Sequence, residues 1–311
     1  MEMKSVTLML SLNDTPAYLR AWCRLGACGL LLILISAPLN GHASEVVRLV
    51  TWNLEWFPGR KPTATQGKKD RHFLEVAAVI PQFRADVMVL QEVRDQDSAE
   101  KLAKLMPGFQ VHVVSRFKDE VGGAVGLQQI AIMSRFPADG AWAESWKRGW
   151  ANAPRGYVYA KLIVEGRPLH VYGLHLKSNL GDPIKNTSKR EDAVEQLLGH
   201  IKDQCKAGEP VVVTGDFNTS KEQLNLAGDR TLLKLEEQGF FWAFEGVPLK
   251  DRITIPGGGR YPDACFDHVY TRDLGRPVAA VLKDTPGSDH FPVAVDLLQG
   301  AAKNIYQPGE Q

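Results

Sequence analysis

Nine short β-rich runs constrain this chain more than any other feature of it. They are VVRLVTWNL (46–54), ADVMVLQEV (85–93), FQVHVVS (109–115), QIAIMS (129–134), YVYAKLIV (157–164), PLHVYGLHL (168–176), PVVVTGDF (210–217), FDHVY (266–270) and VAVDLL (293–298). Several alternate with period two, as half-buried strands do. Helical patterns lie between some of them. Over 70–82, Phe73, Val76, Ala77 and Ile80 share a face; 98–106 opens on Ser98 as an N-cap; over 189–205, Ala193, Leu197, Leu198 and Ile201 form one stripe. Many strands with a few long helices predict an α/β fold of two packed sheets with helices outside. No repeat or Pro/Ser-rich linker divides the chain, so one domain is expected over 44–299, followed by a polar tail at 300–311.

Composition agrees with a globular body. Of 311 residues, 44% are hydrophobic and 23% charged, which excludes disordered, collagenous and multi-span membrane classes. The charges are 37 Lys plus Arg against 36 Asp plus Glu. Residues 1–43 hold three of the bases and two of the acids, leaving 34 against 34 in the body. No global field for a polyanion follows, so nucleic-acid binding would have to rest on local patches.

The N-terminus reads as an export signal. LGACGLLLILISA (25–37) is uncharged, Arg20 and Arg24 precede it, and GHA (41–43) places small residues before a cleavage point. The apolar run is short of the ~20 residues that a spanning helix needs. Residues 1–43 are therefore expected to be a signal peptide and the mature protein to be periplasmic or secreted. In an oxidising compartment the remaining Cys205 and Cys265 can form a disulfide, the alternative being two buried free thiols.

Acids, amides and histidines gather at the ends of the apolar runs rather than on solvated helix faces. Asn53 ends the first, with Glu55 two residues on. Glu92 ends ADVMVLQEV, and His175 interrupts VYGLHLKS. Asp216 and Asn218 close VVVTGDFN, Asp267 opens FDHVY, and Asp289 and His290 precede the last run. One such residue is usually a turn former. Six strand ends together need another reason, because an ionised carboxylate near a core is costly unless paired or metal-bound. Glu92 and Glu55 offer hard oxygen ligands suited to Mg²⁺ or Mn²⁺. Asp216 can orient or deprotonate a water. Asn53 and Asn218 can hydrogen-bond phosphoryl oxygens, and His175 and His290 suit acid–base work or charge neutralisation. These are the parts of a metal-assisted phosphoester hydrolase. Dinucleotide fingerprints, P-loops, nucleophile elbows and HExxH are all missing, and no Cys or His pair has zinc-ligand spacing.

TWNLEWF, LQEV, GLHLKS, GDFN, FDHVY and SDHFPV occur in an order that resembles the endonuclease/exonuclease/phosphatase superfamily, over about 46–298. The resemblance implies a four-layered α/β sandwich of two mixed sheets, deoxyribonuclease I-like, with the site where strand ends from both sheets meet. It implies Glu92 as principal metal ligand, with Asn53, Glu55 and Asp289 beside it. Asp216 resembles the residue that aligns the attacking water, Asn218 its phosphate-binding neighbour, and His290 the histidine at the scissile phosphate, oriented by Asp267. His175 resembles the family's second histidine. Arg155 falls where deoxyribonuclease I-like members carry a phosphate-contacting arginine. No tyrosine aligns with that of abasic-site endonucleases, so that activity is not favoured.

Three functions follow from these residues. The first is an exported Mg²⁺-dependent nuclease acting on DNA or RNA, with phosphate contacts from Lys68, Lys69 and Arg71, from Lys147, Arg148 and Arg155, and from Lys185, Lys189 and Arg190. The second keeps the mechanism and cleaves a phospholipid head group or a small phosphoester. FFWAFEGV (240–247) and Trp142, Trp146 and Trp150, spaced by four, would then form the membrane face. The third is a non-catalytic binding protein, which the complete set of polar residues disfavours. Nothing in the chain calls for an obligate protein partner, and a monomer is expected.

Overall fold

The computed structural model describes residues 46–118, 123–149, 151–258 and 261–298. The expected signal peptide, the tail at 300–311 and Trp150 lie outside the described residues. Among the described residues, twelve strands and four α-helices follow in the order β1 (Val46–Phe57), α1 (Gln66–Val79), β2 (Val87–Val93), α2 (Gln96–Ala103), β3 (Gln110–Val114), β4 (Gln129–Ser134), β5 (Ala138–Ser145), β6 (Gly156–Val164), β7 (Arg167–His175), α3 (Pro183–Gln204), β8 (Val211–Asp216), α4 (Thr231–Glu237), β9 (Phe241–Trp242), β10 (Asp267–Arg272), β11 (Ala279–Val281) and β12 (Val293–Leu298).

The strands form two six-stranded mixed sheets, ordered β11-β12-β1-β2-β4-β3 and β5-β6-β7-β8-β10-β9. The alternation seen in the sequence sorts side chains between layers. Val47 and Leu49 of β1, with Val87 and Val89 of β2, pack toward the second sheet, among Tyr159, Val171 and Leu174. Val50, Trp52, Met88 and Leu90 face the other way, onto Val76 and Ile80 and onto Leu102 of α2. Gly173 marks a close approach within the core. A Cβ there would stand 2.7 Å from both Val158 and Val89. This is the expected sandwich of two packed mixed sheets with flanking helices.

Several local readings change. α2 is capped by Asp95, whose carboxylate accepts from the Ser98 N–H, so Ser98 is the third helical residue rather than the cap. α3 begins at Pro183 behind an Asp182 cap, six residues before the periodic stripe. Trp142 and Trp146 do not line a helix. Trp142 lies on β5 with its ring 4.4 Å from that of Tyr159, and Trp146 is buried just beyond the strand. Phe240, Trp242, Ala243 and Phe244 are core residues, which removes them as a membrane face. Cys205 and Cys265 are both free and buried, which removes the disulfide. Cys205 Sγ lies 3.5 Å from Tyr172 Oη and Cys265 Sγ 3.8 Å from His268 Nδ1, so each thiol is packed against a different neighbour.

Candidate active site

The two sheets bring the marked strand ends to one rim. His175 of β7 pairs with Asp216 of parallel β8, and Asp216 pairs with Asp267 of antiparallel β10. Three neighbouring strands thus set His175, Asp216 and Asp267 in one row. From the other sheet, the register between β1 and β2 slips between Asn53 and Phe57, and that between β2 and β4 slips between Leu90 and Val93. These bulges turn Asn53, Glu55 and Glu92 toward the row, a use of bulges that recurs beside active sites. The backbone is strained where it does so. Glu55, Trp56, Glu92 and Asn218 all have φ between +48° and +61°, a conformation that costs non-glycine residues of order 1–3 kcal/mol each and clusters at functional sites.

Gly215 is what allows the row to form. Its φ is +132°, and a Cβ there would stand 2.1 Å from the Leu174 carbonyl oxygen. Only glycine permits β8 to approach β7 this closely just before Asp216.

Asp216 is held from both sides. Asn53 Nδ2 donates to one carboxylate oxygen at 2.9 Å and the Asn218 N–H to the other at 2.8 Å. Asn53 also reaches Glu92 Oε1 at 3.3 Å, while Trp56 N–H donates to Glu92 Oε2 at 2.8 Å. His175 Nε2 stands 3.6 Å from Asp216 and 3.7 Å from Glu92. The Asp267 carboxylate accepts from His290 Nδ1 at 2.7 Å. The loop carrying His290 is tied to β1: Ser288 Oγ donates to the Asn53 carbonyl at 2.6 Å and accepts from the His290 N–H, and Trp52 Nε1 donates to the His290 carbonyl.

Burial and charge separate the titratable groups. Burial, then the Asp267 charge, pushes the Asp216 carboxyl up to about 7, against the opposing pull of His290, Asn53 and Asn218. Burial alone would lower His290. The Asp267 charge and hydrogen bond, with Asp216 and Asp289 adding, outweigh it and raise the imidazole to about 10. His175 is held well below its ordinary value by burial, then by the Arg155 and His290 charges, and is neutral. One neutral and one protonated histidine therefore flank the same carboxylate.

A cation fits the Glu92 side of this rim. Burial raises the Glu55 carboxyl, and the nearby Asp289 and Glu92 charges raise it further, so three carboxylates crowd one place. Arg60 pairs with Glu55 and with Glu75 and offsets only part of that charge. Such a hard-oxygen set suits a divalent ion. Asp216, Asp267 and His290 also bring ligand atoms within 4.8 Å of one another. A protonated His290 hydrogen-bonded to Asp267 is an ion pair rather than a ligand pair, so the Glu92 side is the better candidate.

The remaining expected residues take different places. Arg155 Nη1 donates to the carbonyls of His175 and Leu176 at 2.9 and 3.0 Å, so it braces the end of β7 as well as fronting the surface. Arg190 is not a surface phosphate contact. Its side chain is fully buried and pairs with an equally buried Asp229 at 2.7 Å. Sequence reasoning missed Ser288, and also Thr254, whose hydroxyl accepts from the Phe266 and Asp267 N–H groups. It missed two structural histidines. His72 accepts from Gly59 N–H and hydrogen-bonds the Gly287 carbonyl, and His268 joins Trp242 to the Thr219 carbonyl behind the Asp216 loop.

Known proteins resemble this chain in sequence and share its fold. The family model described as Endonuclease/Exonuclease/phosphatase family matches residues 50–290. A curated relative, sphingomyelinase C 2 of Leptospira interrogans, is 27% identical over an alignment of 164 residues that covers 44% of this chain. The chain spans a quarter of that relative's length. Among solved structures, an endonuclease/exonuclease/phosphatase from Beutenbergia cavernae superposes with a TM-score of 0.64 at 21% identity, covering 83% of this chain and 72% of that one. TDP2 of D. rerio, complexed with a single-strand DNA product, superposes with a TM-score of 0.59 at 17% identity, covering 82% and 99%. The solved structures carry the fold, and the family model places the chain in a group of phosphoester hydrolases typically dependent on a divalent metal. This chain belongs to the endonuclease/exonuclease/phosphatase family.

Proposed function

We propose that this protein is an Mg²⁺-dependent nuclease that hydrolyses phosphodiester bonds of DNA or RNA. The observation that carries the reading is the row His175–Asp216–Asp267 facing Glu92 and Asn53, with His290 closing it. Bound at Glu92 with Glu55, Asp289 and the Asn53 amide oxygen, a divalent ion would supply Lewis-acid polarisation of a phosphoryl oxygen. Asp216, fixed by Asn53 and Asn218, orients a water for in-line attack and accepts its proton. Its raised pKa, near neutrality, suits a general base. The His290 imidazolium, held by Asp267, stabilises negative charge on the phosphoryl group. His175 sits neutral beside Asp216, and Asn218 offers its amide to phosphoryl oxygens.

Nucleic acid is favoured over lipid because the aromatic run expected at a membrane is core, while exposed bases remain. Lys68 and Arg71 line one cavity with Arg60 and Lys61. One observation supports a second reading, a phospholipid or other apolar phosphoester. A cavity of about 780 Å³ beside Asn218 and Asp289 is walled by Leu180, Ile255, Tyr261 and Phe266, and Leu180 and Leu224 are 74% and 93% exposed. Export, argued from 25–43, is part of the proposal, and N-terminal sequencing of the protein recovered outside the cytoplasm tests it. For the activity, wild type and Asp216→Ala are incubated with supercoiled plasmid, single-stranded RNA and sphingomyelin vesicles, with Mg²⁺ and with EDTA. Metal-dependent cleavage of nucleic acid by the wild type alone supports the nuclease reading. Released phosphocholine with intact nucleic acid would move the substrate to lipid.

A further inference from the structure

The charges of this chain balance overall, yet one cavity is one-sided. It has a volume of about 530 Å³, and its walls carry Arg116, Lys118, Arg148, Arg155 and Lys189. No carboxylate lines it among the described residues. Nor do Arg116, Lys118, Arg148 or Lys189 make an ion pair among the described residues. Asp192 approaches from behind, its Oδ1 3.7 Å from where a Cβ at Gly149 would stand, on a side chain that is buried. Gathering these cations around a wall that holds no carboxylate raises the energy of the protein unless an anion spends time there.

An anion with several acceptor oxygens and more than one negative charge satisfies these cations, and phosphate is that group.

The cavity is coupled to the reaction centre through one side chain. Arg155 lines it and at the same time donates to the carbonyls of His175 and Leu176, at the end of the strand that carries His175. An anion in the cavity is therefore one side chain away from the strand end that carries His175. We propose that this cavity binds a second phosphate of the same substrate molecule, so that the enzyme selects strands with consecutive phosphates over isolated phosphodiesters. The proposal rests on the nuclease reading. Because phosphate contacts carry no base information, it gives cleavage that is strongly salt-dependent and little dependent on sequence.

The test compares kcat/KM for three substrates in Mg²⁺: bis(p-nitrophenyl) phosphate, a thymidine dinucleotide with its single internal phosphodiester, and that dinucleotide with a terminal phosphate on either side. Wild type is expected to favour one of the terminally phosphorylated forms at least tenfold. Arg116→Ala/Lys118→Ala, two exposed positions, should abolish that preference while leaving bis(p-nitrophenyl) phosphate unchanged, and Arg116→Lys should retain most of it. On a longer single strand the double variant should flatten the salt dependence by about 0.7 in log–log slope, for the one phosphate it no longer neutralises. Equal rates with and without the terminal phosphates, or an equal loss on all three substrates in the double variant, would overturn the second-phosphate site. A wild type that hydrolyses bis(p-nitrophenyl) phosphate but neither dinucleotide would overturn the nuclease reading itself, and the proposal with it.

Discussion

Replacing Gly215 with Ala isolates the feature on which the site's geometry depends. The new Cβ would lie 2.1 Å from Leu174 O and 2.9 Å from Leu174 N, both backbone atoms of the neighbouring strand, so no side-chain rotation relieves the clash. The β7–β8 ladder must open, or β8 must rotate away from φ +132°. The backbone conformation alone costs an alanine about 1–3 kcal/mol, and forcing extra volume into a packed site costs about 1–3 more. A total of about 2–6 kcal/mol is a large part of the ~5–15 kcal/mol that holds a typical domain. At ~2–4 °C per kcal/mol for a domain of this size, Tm should fall by roughly 4–24 °C. Asp216 is the next residue, and a displacement near 1 Å should lower kcat by about 10²-fold in the protein that remains folded. Thermal unfolding by circular dichroism and hydrolysis of bis(p-nitrophenyl) phosphate below the transition measure the two effects. Gly199→Ala in α3, where a Cβ meets nothing within 4 Å, is the control and should be neutral or slightly stabilising. A Gly215→Ala protein with wild-type Tm and wild-type rate would refute the close approach of β8 to β7 as the basis of the site.

Other outcomes follow from single interactions. Asp267→Asn removes the charge that holds His290 protonated while preserving a hydrogen-bond partner, so kcat should fall by about 10²–10⁴-fold with little change in Tm. His268, fully buried with a pKa lowered to about 4, mainly by burial, is neutral in the folded state. Its contribution is present above the unfolded value of 6.5 and is lost as pH falls toward 4, by up to about 3 kcal/mol; urea unfolding across pH 4–7 should show this slope in the wild type and a shallower one in His268→Gln. Arg190→Met leaves the Asp229 carboxylate buried and unpaired and should cost about 3–5 kcal/mol by the same assay, whereas Arg190→Met/Asp229→Leu should recover most of it. Calorimetry with MgCl₂ should show binding to wild type and to His175→Ala but not to Glu92→Gln.

The layered architecture could be read from strand periodicity because the two faces of each strand meet different neighbours. The runs at 129–134 and 293–298 match β4 and β12 residue for residue. β5 is not legible in the sequence because ADGAWAES contains a glycine and is largely exposed or half-buried, so it lacks the alternation of a one-sided strand. β9 and β11, of two and three residues, are too short to carry a period. The site residues stood out through their chemical type at strand ends, but their mutual contacts did not. The bulges that aim Glu92 and the Ser288 bridge are tertiary features with no local signature. Arg190 is a different case. It lies at helical spacing with Asn186, Ala193, Leu197 and Ile201, all buried, and this spacing outweighs the charge that placed it among the expected surface phosphate contacts.

If Asp216 and His290, beside a metal at Glu92, cleave phosphodiester bonds of nucleic acid, one experiment shows it most directly. It is single-turnover cleavage of an end-labelled single-stranded oligonucleotide by wild type, Asp216→Ala and His290→Ala, each in Mg²⁺ and in EDTA. The expected result is cleavage by the wild type in Mg²⁺ only, with each variant slowed by about 10²–10⁴-fold. A loss below tenfold in both variants, or cleavage that persists in EDTA, would contradict this chemistry.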